Sequence, residues 1–144
     1  MVDTQRAGRE PMSKVDTAWL RMESPTNLMM ITGVMIFHDR LDIKKLRRLL
    51  ADRWLAYPRF GQRAVDTVNA AYWETDPDLD MDWHVRLAAL PGKADKLALE
   101  KWVSDLASTA LDQSRPLWQF HLVDNYNLGD GRIGSVLLSR IHHC

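Results

Sequence analysis

The sequence predicts an α/β fold: a mixed sheet with helices packed on it. Three observations carry that reading. Apolar runs of strand length, rich in β-branched and aromatic residues, recur near residues 28–37, 117–123 and 133–142. Two other segments, 43–54 and 99–110, place their apolar residues at helical spacing instead. The two kinds of segment are interspersed rather than grouped, which points to one layered α/β unit.

Taken in order, residues 1–10 are polar and aperiodic and read as a loose tail. Ser13-Lys14-Val15-Asp16 has the form of a capping box and opens a short helix through Trp19, Leu20 and Met22. Glu23 to Asn27 is a loop of turn residues. Leu28 to Phe37 is almost wholly apolar and reads as a buried strand. Asp42 caps a helix whose apolar positions are Ile43, Leu46, Leu49, Leu50 and Trp54, and Tyr57-Pro58 stops it. Arg63–Val68 and Ala71–Glu74 form a hairpin turning near Asn69, and Trp83–Leu87 is a strand candidate. Leu99, Trp102, Val103, Leu106 and Ala110 define a second amphipathic helix. Leu117–Val123 is a strand, Asn125–Gly131 a polar connection, and Ile133–His142 the last strand.

Composition narrows the function classes. Nineteen Lys and Arg balance nineteen Asp and Glu, so nothing argues for nucleic acid. A single cysteine, Cys144, excludes an internal disulfide framework and fits a reducing cytoplasm. No apolar run reaches the ~18 residues of a membrane span, and the first residues lack the apolar core of a signal peptide. Most of the six tryptophans are expected in the core.

Chemistry concentrates at Arg140-Ile141-His142-His143-Cys144. Alternation along the last strand puts Ser135, Leu137, Ser139, Ile141 and His143 on one face and Val136, Leu138, Arg140 and His142 on the other. One histidine can then face a substrate while its neighbour anchors in the structure. An imidazole can take a proton from an alcohol and return it near neutral pH. From the dipeptide alone a structural role is the favoured reading. Zinc is disfavoured, because adjacent residues on opposite faces rarely share a metal. Cys144 lacks an identifiable base to activate it as a nucleophile. His38, His84 and His121 lie in or beside strands without a partner motif. Ser114-Arg115-Pro116-Leu117-Trp118 reads as a helix stop followed by a strand. Lys44, Lys45, Arg47, Arg48 and Arg53 make one helix basic, either a solvated face or a contact for anionic lipid headgroups.

Together these pieces are familiar. Ser13-x-x-Asp16, Asp82-Trp83-His84-Val85-Arg86, Leu90-Pro91-Gly92, Leu111-Asp112-x-Ser114-Arg115-Pro116-Leu117-Trp118 and His142-His143 occur in that order. In this order and spacing the chain resembles the bacterial wax ester synthase/acyl-CoA:diacylglycerol acyltransferases from about Met12 to Cys144. The family's last element reads HHxxxDG, of which only the first three positions are present here. The resemblance implies a chloramphenicol acetyltransferase-like fold, with two α/β domains and an active site between them. It divides the chain into a flexible tail, residues 1–11, and an incomplete N-terminal acyltransferase domain, residues 12–144.

The resemblance also implies a role for each motif residue. His143 would be the general base and His142 its supporting partner, while Pro116, Leu117 and Trp118 form a structural signature. The implied reaction transfers a fatty acyl group from acyl-CoA to a long-chain alcohol or diacylglycerol. Acyl-CoA is then a substrate, and neither cofactor nor metal is implied. Expected partners are these lipids and a C-terminal remainder of the enzyme, in the same or a separate chain. Location would be cytoplasmic, with peripheral contact at membranes or lipid droplets as an option. The alternatives are a related condensation or acyltransferase enzyme sharing HHxxxDG, or a non-catalytic lipid-surface module. The bare 144-residue chain is expected to be inactive.

Overall fold

The computed structural model describes residues 8–144. Eleven strands and α-helices follow one another, with a 3-10 turn at Pro58–Gly61 before β3: β1 (Arg9–Pro11), α1 (Lys14–Met22), β2 (Met30–Phe37), α2 (Ile43–Arg53), β3 (Gln62–Asp66), β4 (Ala71–Thr75), α3 (Met81–His84), β5 (Val85–Ala88), α4 (Lys96–Ala107), β6 (Trp118–Gly129) and β7 (Arg132–His142). The main sheet runs β2-β7-β6-β5 and is mixed, with β5 parallel to β6 and the other pairs antiparallel. A small antiparallel sheet, β1-β4-β3, stands apart from it.

Local sequence explains the helices. Ser13, Asp42 and Asp95 each cap a helix by accepting a backbone N–H three residues on. The apolar stripe of α2, with Leu46, Leu50 and Trp54, covers one face of the main sheet against Val85, Trp118, Phe120, Leu122 and Leu137. On the other face α4 packs Leu99, Trp102 and Val103 over Val123 and Val136. A third cluster joins Met12 and Leu20 to Ala71, Trp73, Leu111 and Leu117, with Met30 and Cys144 against it. That cluster ties α1 and the small sheet to the end of β7.

Four expectations need correction. Of the tail expected over residues 1–11, residues 1–7 lie outside the described ones, while Arg9–Pro11 pair with β4 as a strand. The run 28–37 is a strand over Met30–Phe37, but an edge strand rather than a buried one. Ile31 and Met35 on one side and Val34 and Ile36 on the other are exposed. The Trp83–Leu87 candidate begins as a helical turn, because the Asp80 side chain caps it by accepting the Asp82 N–H, and extends only from Val85. The polar stretch Asn125–Gly129 continues β6 instead of looping. Asn125 Oδ1 accepts the Leu90 N–H at 3.0 Å, its amide donates to Leu90 O at 3.0 Å, and the Asn127 N–H donates to Ala94 O at 2.9 Å. Two register shifts accommodate this extension.

Candidate active site

Strand β7 delivers the two histidines to opposite environments, as its alternation predicts. His142 turns inward and is 3% exposed, whereas His143 is open to solvent. The backbone holds both: the His142 N–H donates to Leu117 O at 3.0 Å and the His143 N–H to Met29 O at 2.8 Å. The His143 ring lies on Trp19 of α1, with ring centroids 4.1 Å apart and planes 29° from parallel. A ring supported on one side and open on the other can meet a substrate hydroxyl without searching many rotamers.

His142 is enclosed by a carboxylate from the turn that follows α1. Glu23 Oε2 sits 3.2 Å from His142 Nε2. That contact is close and electrostatically favourable, though not in line for a straight hydrogen bond. The second ring nitrogen, Nδ1, accepts the N–H of Cys144 at 3.1 Å. Burial pushes the His142 pKa down, against the opposing pull of Glu23. Cys144 packs against the Met12–Trp73 cluster, and burial raises its thiol to about 12. A thiol so far from ionising is a poor nucleophile.

The Pro116-Leu117-Trp118 element is part of the scaffold beneath the histidines. All three side chains are buried, Trp118 to 1% exposure. The Trp118 indole N–H donates to Phe60 O at 2.7 Å, and its ring stacks on His84 at 4.2 Å. His84 Nδ1 donates in turn to Trp118 O at 2.7 Å. Arg115 lies over the Trp83 ring at 4.5 Å. The Asp82–Arg86 and Ser114–Trp118 motifs, apart in sequence, are thus one packed unit. Asp112 Oδ1 accepts both the N–H and the hydroxyl of Ser114, which hold its carboxyl below the usual range. The resulting tight turn leads the chain into β6.

Three contributors escaped sequence reasoning. Trp19 looked like one more core aromatic, and nothing local marks it as the platform for His143. Glu23 sits among turn formers and gains its meaning only through His142. Arg140, 3% exposed, donates to Gln119 Oε1 at 3.1 Å and to Thr109 O, which pins the segment after α4 to β7. Its place on the His142 face of β7 was the one available signal. Among the described residues no group of three His, Cys, Asp or Glu side chains could hold a metal ion.

The sequence profile of the wax ester synthase/diacylglycerol acyltransferase catalytic domain matches residues 12–144. The chain belongs to this family. A putative diacylglycerol O-acyltransferase of Mycobacterium tuberculosis is 31% identical over 149 residues, covering 96% of this chain and 28% of the relative. The wax ester synthase/diacylglycerol acyltransferase of Marinobacter aquaeolei VT8 superposes with a TM-score of 0.75 at 27% identity, over 92% of this chain and 33% of that one. The starter condensation domain of rhizomide synthetase, solved with C8-CoA and Leu-SNAC, has a TM-score of 0.69 at 12% identity, over 96% of this chain and 31% of that one. The fold is therefore the chloramphenicol acetyltransferase-like acyltransferase fold that wax ester synthases and condensation domains share. The chain spans about a third or less of the length of the relatives it matches.

Proposed function

We propose that this chain supplies the general base of an enzyme that moves a fatty acyl group from acyl-CoA to a long-chain alcohol or diacylglycerol. The reading rests on one observation: within the matched span His143 is presented to solvent on a tryptophan platform while His142 is buried behind it. In the reaction an imidazole nitrogen of His143 takes the hydroxyl proton as the alcohol oxygen bonds to the thioester carbonyl carbon. The tetrahedral oxyanion collapses, the carbon–sulfur bond breaks, and the imidazolium proton passes to the departing CoA thiolate. Ester and free CoA leave, and the base is restored. A base placed this way contributes about 100- to 10,000-fold. Both substrates are present at once and no acyl-enzyme forms, in keeping with the buried, weakly acidic Cys144 thiol.

The condensation-domain alternative shares the fold, but at 12% identity that likeness carries no substrate. Lipid contact would fall on α2. There Arg47 is engaged by Asp82 and by Val85 O, leaving Lys44, Lys45, Arg48 and Arg53 exposed. No described helix is long and apolar enough to cross a membrane. The test is a donor and acceptor panel on the complete enzyme. Palmitoyl-CoA with hexadecanol or dioleoylglycerol should yield ester and stoichiometric free CoA. Turnover confined to carrier-protein-bound donors would move the assignment to condensation chemistry.

A further inference from the structure

We propose that Glu23 and His142 form a buried positioning pair that fixes the peptide on both sides of His143, and that the transfer rate depends on Glu23 through it. The inference rests on the reading of His143 as the base. Glu23 directly follows α1, and its side chain is 6% exposed against 1% for that of His142. A carboxylate shut away from water needs donors, and this one has three around it. Its Oε2 accepts the Met29 N–H at 3.2 Å and faces His142 Nε2 at 3.2 Å, while Oε1 accepts the Gln113 amide at 3.2 Å. Three separate segments converge on one side chain: the loop before β2, the loop before β6, and the end of β7. Two of these contacts are hydrogen bonds, and the third, to His142 Nε2, is an electrostatic contact out of line for one.

The ring of His142 passes this constraint on to His143. Because Nδ1 accepts the Cys144 N–H, that nitrogen carries no proton, and the neutral ring must carry its proton on Nε2, the nitrogen 3.2 Å from Glu23 Oε2. Three successive amides are then held. The N–H of His142 is held by Leu117 O, that of His143 by Met29 O, and that of Cys144 by the His142 ring itself. Only the third depends on a side-chain orientation, and Glu23 is the group that sets it. The Met29 peptide is clamped at both ends of its role, since its O receives the His143 N–H and its N–H is bound by Glu23. Loss of the carboxylate frees the His142 ring and the Met29 peptide together, so His143 loses two of its supports. Displacing a base by about 1 Å costs on the order of 100-fold in rate.

The experiment compares Glu23→Ala, Glu23→Gln and His143→Ala in the complete enzyme. It also reads the histidine tautomers of the unmodified enzyme by nitrogen-15 NMR at neutral pH. A glutamine keeps the length and one carbonyl oxygen for the Nε2 proton. Glu23→Gln is therefore expected to keep most of kcat, and Glu23→Ala to lose on the order of 100-fold in kcat with KM little changed. The His142 signals should report a neutral ring protonated at Nε2. Full kcat in Glu23→Ala, or a His142 proton on Nδ1, overturns the pair while leaving the base assignment intact if His143→Ala is dead. Full activity in His143→Ala overturns the base assignment itself. Should Glu23→Ala fail to fold, the tautomer still decides, since a His142 proton on Nδ1 overturns the pair.

Discussion

At the scale of single residues, burial decides which histidines can do chemistry. His84, His121 and His142 are all held below their ordinary pKa chiefly by burial, and only His143 among the motif histidines meets solvent. His121 shows the consequence for stability. It packs edge-on against Trp102 and faces the charges of Arg140 and Arg86, and its pKa falls to about 4 from 6.5. Above pH 6.5 the ring is neutral in both the folded and the unfolded chain and no stability is lost. As pH falls below 6.5 the unfolded chain takes up a proton that the fold refuses. Stability therefore declines until about pH 4, below which both states bind it. The urea midpoint should fall across this window in the wild-type protein and fall less in His121→Gln; identical slopes would contradict the assignment. The opposite facing of His142 and His143 was legible in the sequence, because strand periodicity alone sets it. The roles of Glu23 and Trp19 were not. Each depends on contacts between residues far apart in the chain, which a single sequence does not encode locally.

At the scale of elements, the long β6–β7 pair organises the molecule, since both core clusters of the main sheet and both motif histidines hang on it. Its close packing at Phe37 and Leu128 relies on Gly134. A methyl group there would strike Phe37 O in the backbone and Leu128 Cδ1 at 2.8 Å, and the backbone oxygen cannot move aside. Gly134→Ala should cost about 1–3 kcal/mol and lower Tm. Gly61→Ala, where nothing lies within 4 Å, should not. Equal Tm values for the two variants would refute this account of Gly134. The helices were legible because their caps and stripes are local signals. The reach of β6 was hidden because Asn125 and Asn127 resemble turn residues until the Leu90–Ala94 segment supplies their partners. The Trp83 segment was misjudged for a related reason: a single capped turn overrode a pattern that also suits a strand.

At the scale of the whole molecule, the ordered motifs made the fold readable, since each marks the start or end of a helix or strand. Apolar content could not show that β2 is an edge, because an edge strand and a central one carry the same residues. In the described residues β2 pairs only with β7 and leaves Ile31, Val34, Met35 and Ile36 between 42% and 57% exposed. An apolar edge of this kind is a template for further strand pairing. The 144-residue chain on its own should self-associate with rising concentration in light scattering, and Ile31→Lys with Met35→Lys should suppress it. A monomer across the whole range would show that this edge is harmless.

The central claim, that His143 is the base for acyl transfer, is tested most directly by kcat/KM for palmitoyl-CoA and hexadecanol in the complete enzyme and its His143→Ala variant, with circular dichroism confirming the fold. The account predicts a loss of about 100- to 10,000-fold with the fold unchanged. A folded His143→Ala enzyme turning over at the wild-type rate would contradict it.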